Sequence, residues 1–378
     1  MSHSMRRREF LVRSSRAAVS FSLFPLVAAR AQGNQSWPEV KDATPWETLS
    51  ADLEKKIPSL MKEAIVPGLS IAIINDAKLR WRRGFGVKDR ATKKPVNNDT
   101  MFEAASLSKP VFAYAVMKLC EKGTMDLDTP LTRYTSERFL EGDPRLELIT
   151  PRHLLSHTSG FQSWRSEKEP LKIHFTPGEK FLYSSEGYSY LQSVVTHMTG
   201  QPIEPYLKAN LFVPFGMTSS GYAWNDTFEK HMARPHDKKG EPLNNRKSTE
   251  ADVARYGASG ALLTTPTDYA RFVIEVINPK KSDAFRLSKD SLKEMLRPQV
   301  KLSDAYADSW ALGWGIQSTA RGTVITHGGD SNGFHSVAVA SVERKSGFVI
   351  MTNGDNGAEL LKKLLLEPLM SRIVWLAS

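Results

Sequence analysis

Ser106-Leu107-Ser108-Lys109 is the stretch of this chain best suited to covalent chemistry. Apolar residues at helical spacing follow it (Val111, Phe112, Ala115, Val116, Leu119), and the turn-forming Asn97-Asn98-Asp99-Thr100 precedes it. A helix starting near Ser106 would set Lys109 one turn further along the same face, with its amine beside the Ser106 hydroxyl. A serine hydroxyl attacks poorly until a base takes its proton, and an unprotonated lysine is such a base. Burial and the positive end of a helix both disfavour the ammonium form. By themselves, the four residues fit the capped, solvent-facing start of an ordinary helix better than a catalytic site. Ser108 is the nearer hydroxyl in sequence but is not three residues ahead of a lysine, so it is expected to support the site from behind.

Further groups follow in order. Phe102-Glu103-Ala104-Ala105 precedes the serine, and Leu127-Asp128-Thr129-Pro130-Leu131 comes after it. Then come His153-Leu154-Leu155-Ser156-His157-Thr158-Ser159-Gly160 and Tyr183-Ser184-Ser185-Glu186-Gly187-Tyr188. Pro214-Phe215-Gly216-Met217, Ser259-Gly260-Ala261-Leu262-Leu263-Thr264-Thr265 and His327-Gly328-Gly329-Asp330 complete the series. In this order and spacing, from about Pro67 to about Asn353, the chain resembles the serine β-lactamase and penicillin-binding-protein superfamily. It looks most like the branch of class C β-lactamases, family VIII carboxylesterases and D-amino-acid peptidases.

The resemblance implies roles. Ser106 matches the nucleophile and Lys109 the lysine that shares its proton. Tyr183 matches the tyrosine of the Y-x-N element, whose phenolate a nearby cation such as Lys109 would stabilise for proton transfer. His327-Gly328-Gly329 matches the third motif, usually K-T-G and often H-x-G, with Gly329 allowing close backbone approach. The amides of Asp330 and Ser106 are then the expected oxyanion donors. Two positions depart from the pattern. Ser185 stands where the family usually has Asn, and a buried partner left unmatched costs roughly 1–3 kcal/mol. His327 replaces a cation with a group mostly neutral at pH 7, weakening attraction for the carboxylate of a penicillin. Both departures favour esters over lactams.

Other candidates weigh less. His153 and His157 are four apart, as zinc ligands on a helix could be, but the glutamate of H-E-x-x-H is missing, so a structural turn is expected. His231 and His236 lie in a polar loop and are expected to face solvent. Glu167 and Glu169 read as loop charges. Trp164, Tyr222, Trp224, Trp310 and Trp314 could line an acyl pocket, although scattered aromatics are more often core. The polar stretch 235–257 has the length of a lid.

The elements that must position these residues follow from periodicity. A helix is predicted over 51–64, then strands over 69–74 and 79–85 joined as a hairpin at a sheet edge. Residues 106–297 are mostly helical in pattern. Strands return over 313–317, 324–326, 336–342 and 348–352, and a last helix spans 359–376. This order predicts an α+β fold: one antiparallel sheet built from both chain ends, covered by terminal helices, with a mostly helical domain inserted. The resemblance implies the same architecture, with the site between the two parts. The division is a leader over 1–31, a linker over 32–50, a sheet domain from 51–105 and 300–378, and a helical domain over 106–299.

The chain has 378 residues, 40% of them hydrophobic and 24% charged, as in an ordinary globular protein. Arg6-Arg7-Arg8-Glu9-Phe10-Leu11, an apolar segment over 17–29 and Ala29-Arg30-Ala31 read as a twin-arginine-type export leader. An organellar transit peptide and an uncleaved tail are the alternatives. The formal charge of +10 includes six Arg and one Glu of residues 1–31, and without them it falls to +5. No dense basic stripe for nucleic acid remains. The single cysteine, Cys120, excludes an internal disulfide and fits a buried helical position. The expectation is a periplasmic serine hydrolase working through an acyl-enzyme on ester or amide substrates, carboxylesterase-like, with no cofactor or metal and no membrane insertion after leader cleavage. β-Lactamase proper, a D-amino-acid peptidase and a non-catalytic cell-wall-binding or sensor domain are the alternatives.

Overall fold

The computed structural model describes residues 45–302 and 307–376. The predicted leader over 1–31 and most of the 32–50 linker therefore lie outside the described residues. Helix α1, Trp46–Ala64, starts earlier than its predicted first residue, directly after Pro45, and buries Leu49, Leu53, Ile57, Leu60 and Met61 along one stripe. Ile65 in the left-handed region ends it.

The strands in chain order are β1 (Gly68–Asn75), β2 (Lys78–Asp89), β3 (Lys94–Pro95), β4 (Phe102–Ala105), β5 (Leu262–Thr264) and β6 (Val300–Lys301). They continue as β7 (Ser309–Trp310), β8 (Gly315–Thr319), β9 (Gly322–Ser331), β10 (Phe334–Ser341) and β11 (Ser346–Thr352). The β1–β2 hairpin turns through Asp76 and Ala77, both at positive φ (49° and 51°), the twist that suits a two-residue connection. Nine strands form one sheet in the order β3-β2-β1-β11-β10-β9-β8-β7-β6. The sheet joins the chain's two ends where β1 pairs antiparallel with β11, Ile71 opposite Ile350.

Side-chain alternation gives this sheet two buried faces. Ile71, Ile73, Val337, Val339, Phe348 and Ile350 face α1 and the C-terminal helices. Ala72, Ile74, Ala338, Ala340, Val349 and Met351 face the inserted helical part. That part carries α2 (Ser108–Glu121), α3 (Ser185–Thr199), α4 (Glu250–Gly260) and α5 (Pro266–Ile277). The C-terminal run is not the single predicted helix. It breaks into α6 (Gly357–Leu366) and α7 (Pro368–Val374), because Pro368 lacks the amide a continuous helix needs.

Strand β4 leaves the large sheet and pairs with β5 of the inserted part, Phe102 opposite Thr264. The turn that carries Ser106 therefore hangs between the two halves of the molecule. The 235–257 stretch is not a free lid. His236 is buried, donating from Nδ1 to the Asn353 carbonyl (2.9 Å) and accepting the Arg90 amide at Nε2 (3.1 Å), which corrects its predicted exposure. Most of the stretch's final third is α4, whose end lies against the candidate site. Among the described residues no helix is long and apolar enough to cross a membrane.

Candidate active site

Ser106 sits on the turn between β4 and α2, and the helix begins at Ser108, later than the spacing predicts. The turn itself closes the gap: the Lys109 amide donates to the Ser106 carbonyl (3.0 Å), and Lys109 Nζ reaches Ser106 Oγ at 3.2 Å. Ser106 is half-buried, whereas Lys109 is 0% exposed. Nζ also donates to the Ser259 carbonyl (2.7 Å) and meets Ser185 Oγ at 3.2 Å. Among the described residues no carboxylate pairs with it, and burial holds the amine well below the usual lysine range. An uncharged amine has two hydrogens and one lone pair. The Ser259 carbonyl can only accept, so it takes one hydrogen. If Ser185 takes the second, the lone pair faces the Ser106 hydroxyl.

The Tyr183 hydroxyl is hydrogen-bonded to Ser106. Burial raises its pKa above the ordinary 10, the Asp330 charge pushes the same way, and the Ser106 hydrogen bond pulls only partly back. This corrects the expected phenolate. Lys109 Nζ lies over the face of the Tyr183 ring, 4.8 Å from its centroid, and in its uncharged form cannot stabilise an anion there. Burial thus disfavours the charged form of both side chains.

His157 packs against Tyr183 with ring centroids 4.2 Å apart and the rings tilted by 32°. Its Nδ1 accepts the Ser184 amide at 3.0 Å, which leaves the proton on Nε2, and burial keeps the ring neutral. His153 instead closes a capping box with Thr150 at the start of the short helix Pro151–Leu155. The pair is structural in its contacts.

On β9, His327 Nδ1 donates to the Gly328 carbonyl at 2.7 Å. Burial pushes its pKa down to about 3, so the imidazole is neutral at pH 7. A Cβ on Gly329 would lie 2.2 Å from the Ala104 carbonyl oxygen and 3.1 Å from the Ser106 nitrogen, so this approach requires glycine. Pairing between β8 and β9 stops at Gly315 opposite Thr326, and among the described residues no strand pairs with β9 on that side from His327 onward. The Asp330 side chain is bound to His335 Nδ1 at 2.5 Å.

Ser106, Lys109, Tyr183, Ser185, His327 and Gly329 thus converge through direct contacts or packing. Sequence reasoning missed the Ser259 carbonyl, which no side-chain pattern could signal. It also missed Arg165 and Glu186, whose ion pair (2.8 Å) fastens the 160–170 loop to the start of α3 beside Ser185. Of the aromatics, Tyr222 and Trp314 are core, while buried Trp310 packs against both Tyr183 (6.0 Å) and His327 (5.4 Å). Half-buried Trp164 meets Tyr256 edge-on at 5.2 Å, and Trp224 bonds exposed Glu229. Glu167 and Glu169 are exposed.

A buried amine beside a reachable serine, a neutral phenol and a glycine-lined strand edge define a serine hydrolase site. The Beta-lactamase family model matches residues 53–366, and the chain belongs to that family. A penicillin-binding protein of Bacillus subtilis (strain 168) is 24% identical over 325 residues, 75% of this chain and 68% of that protein. Esterase EstB of Burkholderia gladioli is 29% identical over 237 residues, 54% of this chain and 59% of the esterase. A solved class C beta-lactamase superposes with a TM-score of 0.72 at 20% identity, covering 86% of this chain and 99% of that one. This last likeness is one of fold.

Proposed function

We propose that this enzyme hydrolyses carboxylic esters through a covalent acyl-enzyme on Ser106. The observation that carries the reading is the 3.2 Å contact between Ser106 Oγ and a fully buried Lys109 amine. Lys109 takes the serine proton as Oγ attacks the carbonyl carbon. The amides of Ser106 and Asp330 receive the oxyanion. Tyr183 gives its proton to the leaving alkoxide and recovers one from Lys109, so the pair ends neutral. Water then releases the acid and frees Ser106.

Ester preference rests on two residues. Ser185 offers one short hydroxyl where the family usually has an amide, and neutral His327 offers no charge to a substrate carboxylate. β-Lactams and D-alanyl peptides both carry that carboxylate and rank second and third. The esterase relative supports the ordering. Export through the twin-arginine route is the accompanying proposal, supported by residues 6–31. The test is labelling with a fluorescent fluorophosphonate: wild type should label and Ser106→Ala should not. Equal labelling of both proteins removes the assignment.

A further inference from the structure

The carbonyls of the nucleophile turn are each held. Ala104 accepts the Leu107 amide (3.1 Å) and the Ser336 hydroxyl (3.0 Å), and Leu107 accepts the Tyr269 hydroxyl (3.0 Å). Ser106 accepts the Lys109 amide, as above. Ala105 is held by Ser108, whose Oγ donates to its carbonyl at 2.7 Å. The same Oγ accepts the Leu262 amide at 3.0 Å, and Ser108 is 0% exposed. Leu262 stands opposite Ala105 just where the β4–β5 register shifts, so Ser108 occupies the irregular point of that ladder. Ala105 itself has φ of 48°, a left-handed conformation that side chains other than glycine rarely adopt.

The peptide joining Ala105 to Ser106 is planar and trans, so its C=O and N–H point in opposite directions. Whatever fixes the Ala105 carbonyl therefore fixes where the Ser106 amide points. We propose that Ser108 is a positioning residue: it pins the Ala105 carbonyl and thereby aims the Ser106 amide at the oxyanion formed during acyl transfer. The inference rests on the proposed role of Ser106. Ser108 touches no reacting atom and acts wholly through this peptide plane and through β5. The left-handed Ala105 turns the plane, and the hydroxyl keeps it turned.

The test compares wild type, Ser108→Ala and the double variant Ser108→Ala/Ala105→Gly on p-nitrophenyl butyrate. It also measures inhibition by butylboronic acid, which forms a tetrahedral adduct with a serine. Loss of aim should cost less than loss of the donor, which is about 10²–10³ in kcat. In Ser108→Ala, kcat should fall roughly ten- to hundredfold while KM stays within about threefold, and boronate affinity should fall by the same factor as kcat/KM. Glycine at 105 removes the left-handed strain, so the double variant should regain part of both losses. A kcat within threefold of wild type overturns the proposal, and so does a fall in kcat with boronate affinity unmoved. If Ser108→Ala does not fold by circular dichroism, Ser108→Cys carries the same comparison under the same criteria. Ser106→Ala is run beside them: hydrolysis retained there would sink the reading of the site itself, whatever Ser108 does.

Discussion

Lys109 is the residue whose protonation sets what the site can do. In the unfolded chain its amine holds a proton up to about pH 10.4; in the folded protein burial releases that proton at much lower pH. Between those two values the unfolded state binds more protons, so stability rises with pH across the window. Lys109→Met removes the titration. Its melting temperature relative to wild type should therefore drop as pH rises toward the ordinary lysine range, while its kcat/KM is lower by roughly 10²–10⁴. A difference constant with pH would mean the lysine is charged in the fold. The proposed ester preference is tested at the same scale through Ser185. Ser185→Asn restores the amide the family usually carries, and should raise nitrocefin turnover relative to p-nitrophenyl butyrate turnover by about tenfold, the worth of one matched buried polar group. An unchanged ratio would remove Ser185 as a ground for the proposed ester preference.

At the scale of elements, periodicity carried most of what could be read. Strands β1, β2, β10 and β11 alternate between faces and α1 shows a clear apolar stripe, so these elements and their assembly into one sheet were legible. The boundaries that slipped did so for local reasons. Trp46 extends α1 because a helix can start directly after Pro45. The C-terminal apolar run reads as one helix by spacing, yet Pro368 splits it. The β4–β5 pair was illegible: four and three residues are too short for a period, and the partners Phe102–Ala105 and Leu262–Thr264 lie far apart in the chain. The same reach hid His236, whose polar neighbours suggest solvent while its partners, Arg90 and Asn353, directly follow the distant strands β2 and β11. The site followed suit. Side chains that resemble a known pattern were readable, and Ser108 could be set behind the site; the Ser259 carbonyl and the left-handed Ala105 are backbone facts, and a sequence does not display backbone direction.

At the scale of the whole molecule, the sheet buried on both faces forces polar groups into its interior wherever the halves must join. Three histidines stand at such joints. His157 lies behind Tyr183, His236 bonds Arg90 and Asn353 just past the ends of β2 and β11, and His327 lies on β9. Burial lowers the pKa of each, to about 3 for His327. In the unfolded chain each would protonate near pH 6.5. Below that value the unfolded state gains protons the folded state refuses, so stability falls as pH falls. Depressed carboxylates add a second stage: Glu121 and Glu294 titrate at about 2 in the fold, so their contribution is lost only as pH drops below the ordinary carboxylate range. Glu103, Glu204 and Asp268 are raised by burial and oppose the loss, chiefly just above that range. The histidine stage is thus read most cleanly between pH 7.5 and about 5.5. Calorimetry should show the melting temperature declining through this interval, and the decline should be shallower in His236→Gln, which keeps a neutral side chain but cannot titrate. A melting temperature flat from pH 7.5 to 5.5, or an identical slope in the variant, would mean that His236 takes up its proton without leaving its place between the strands.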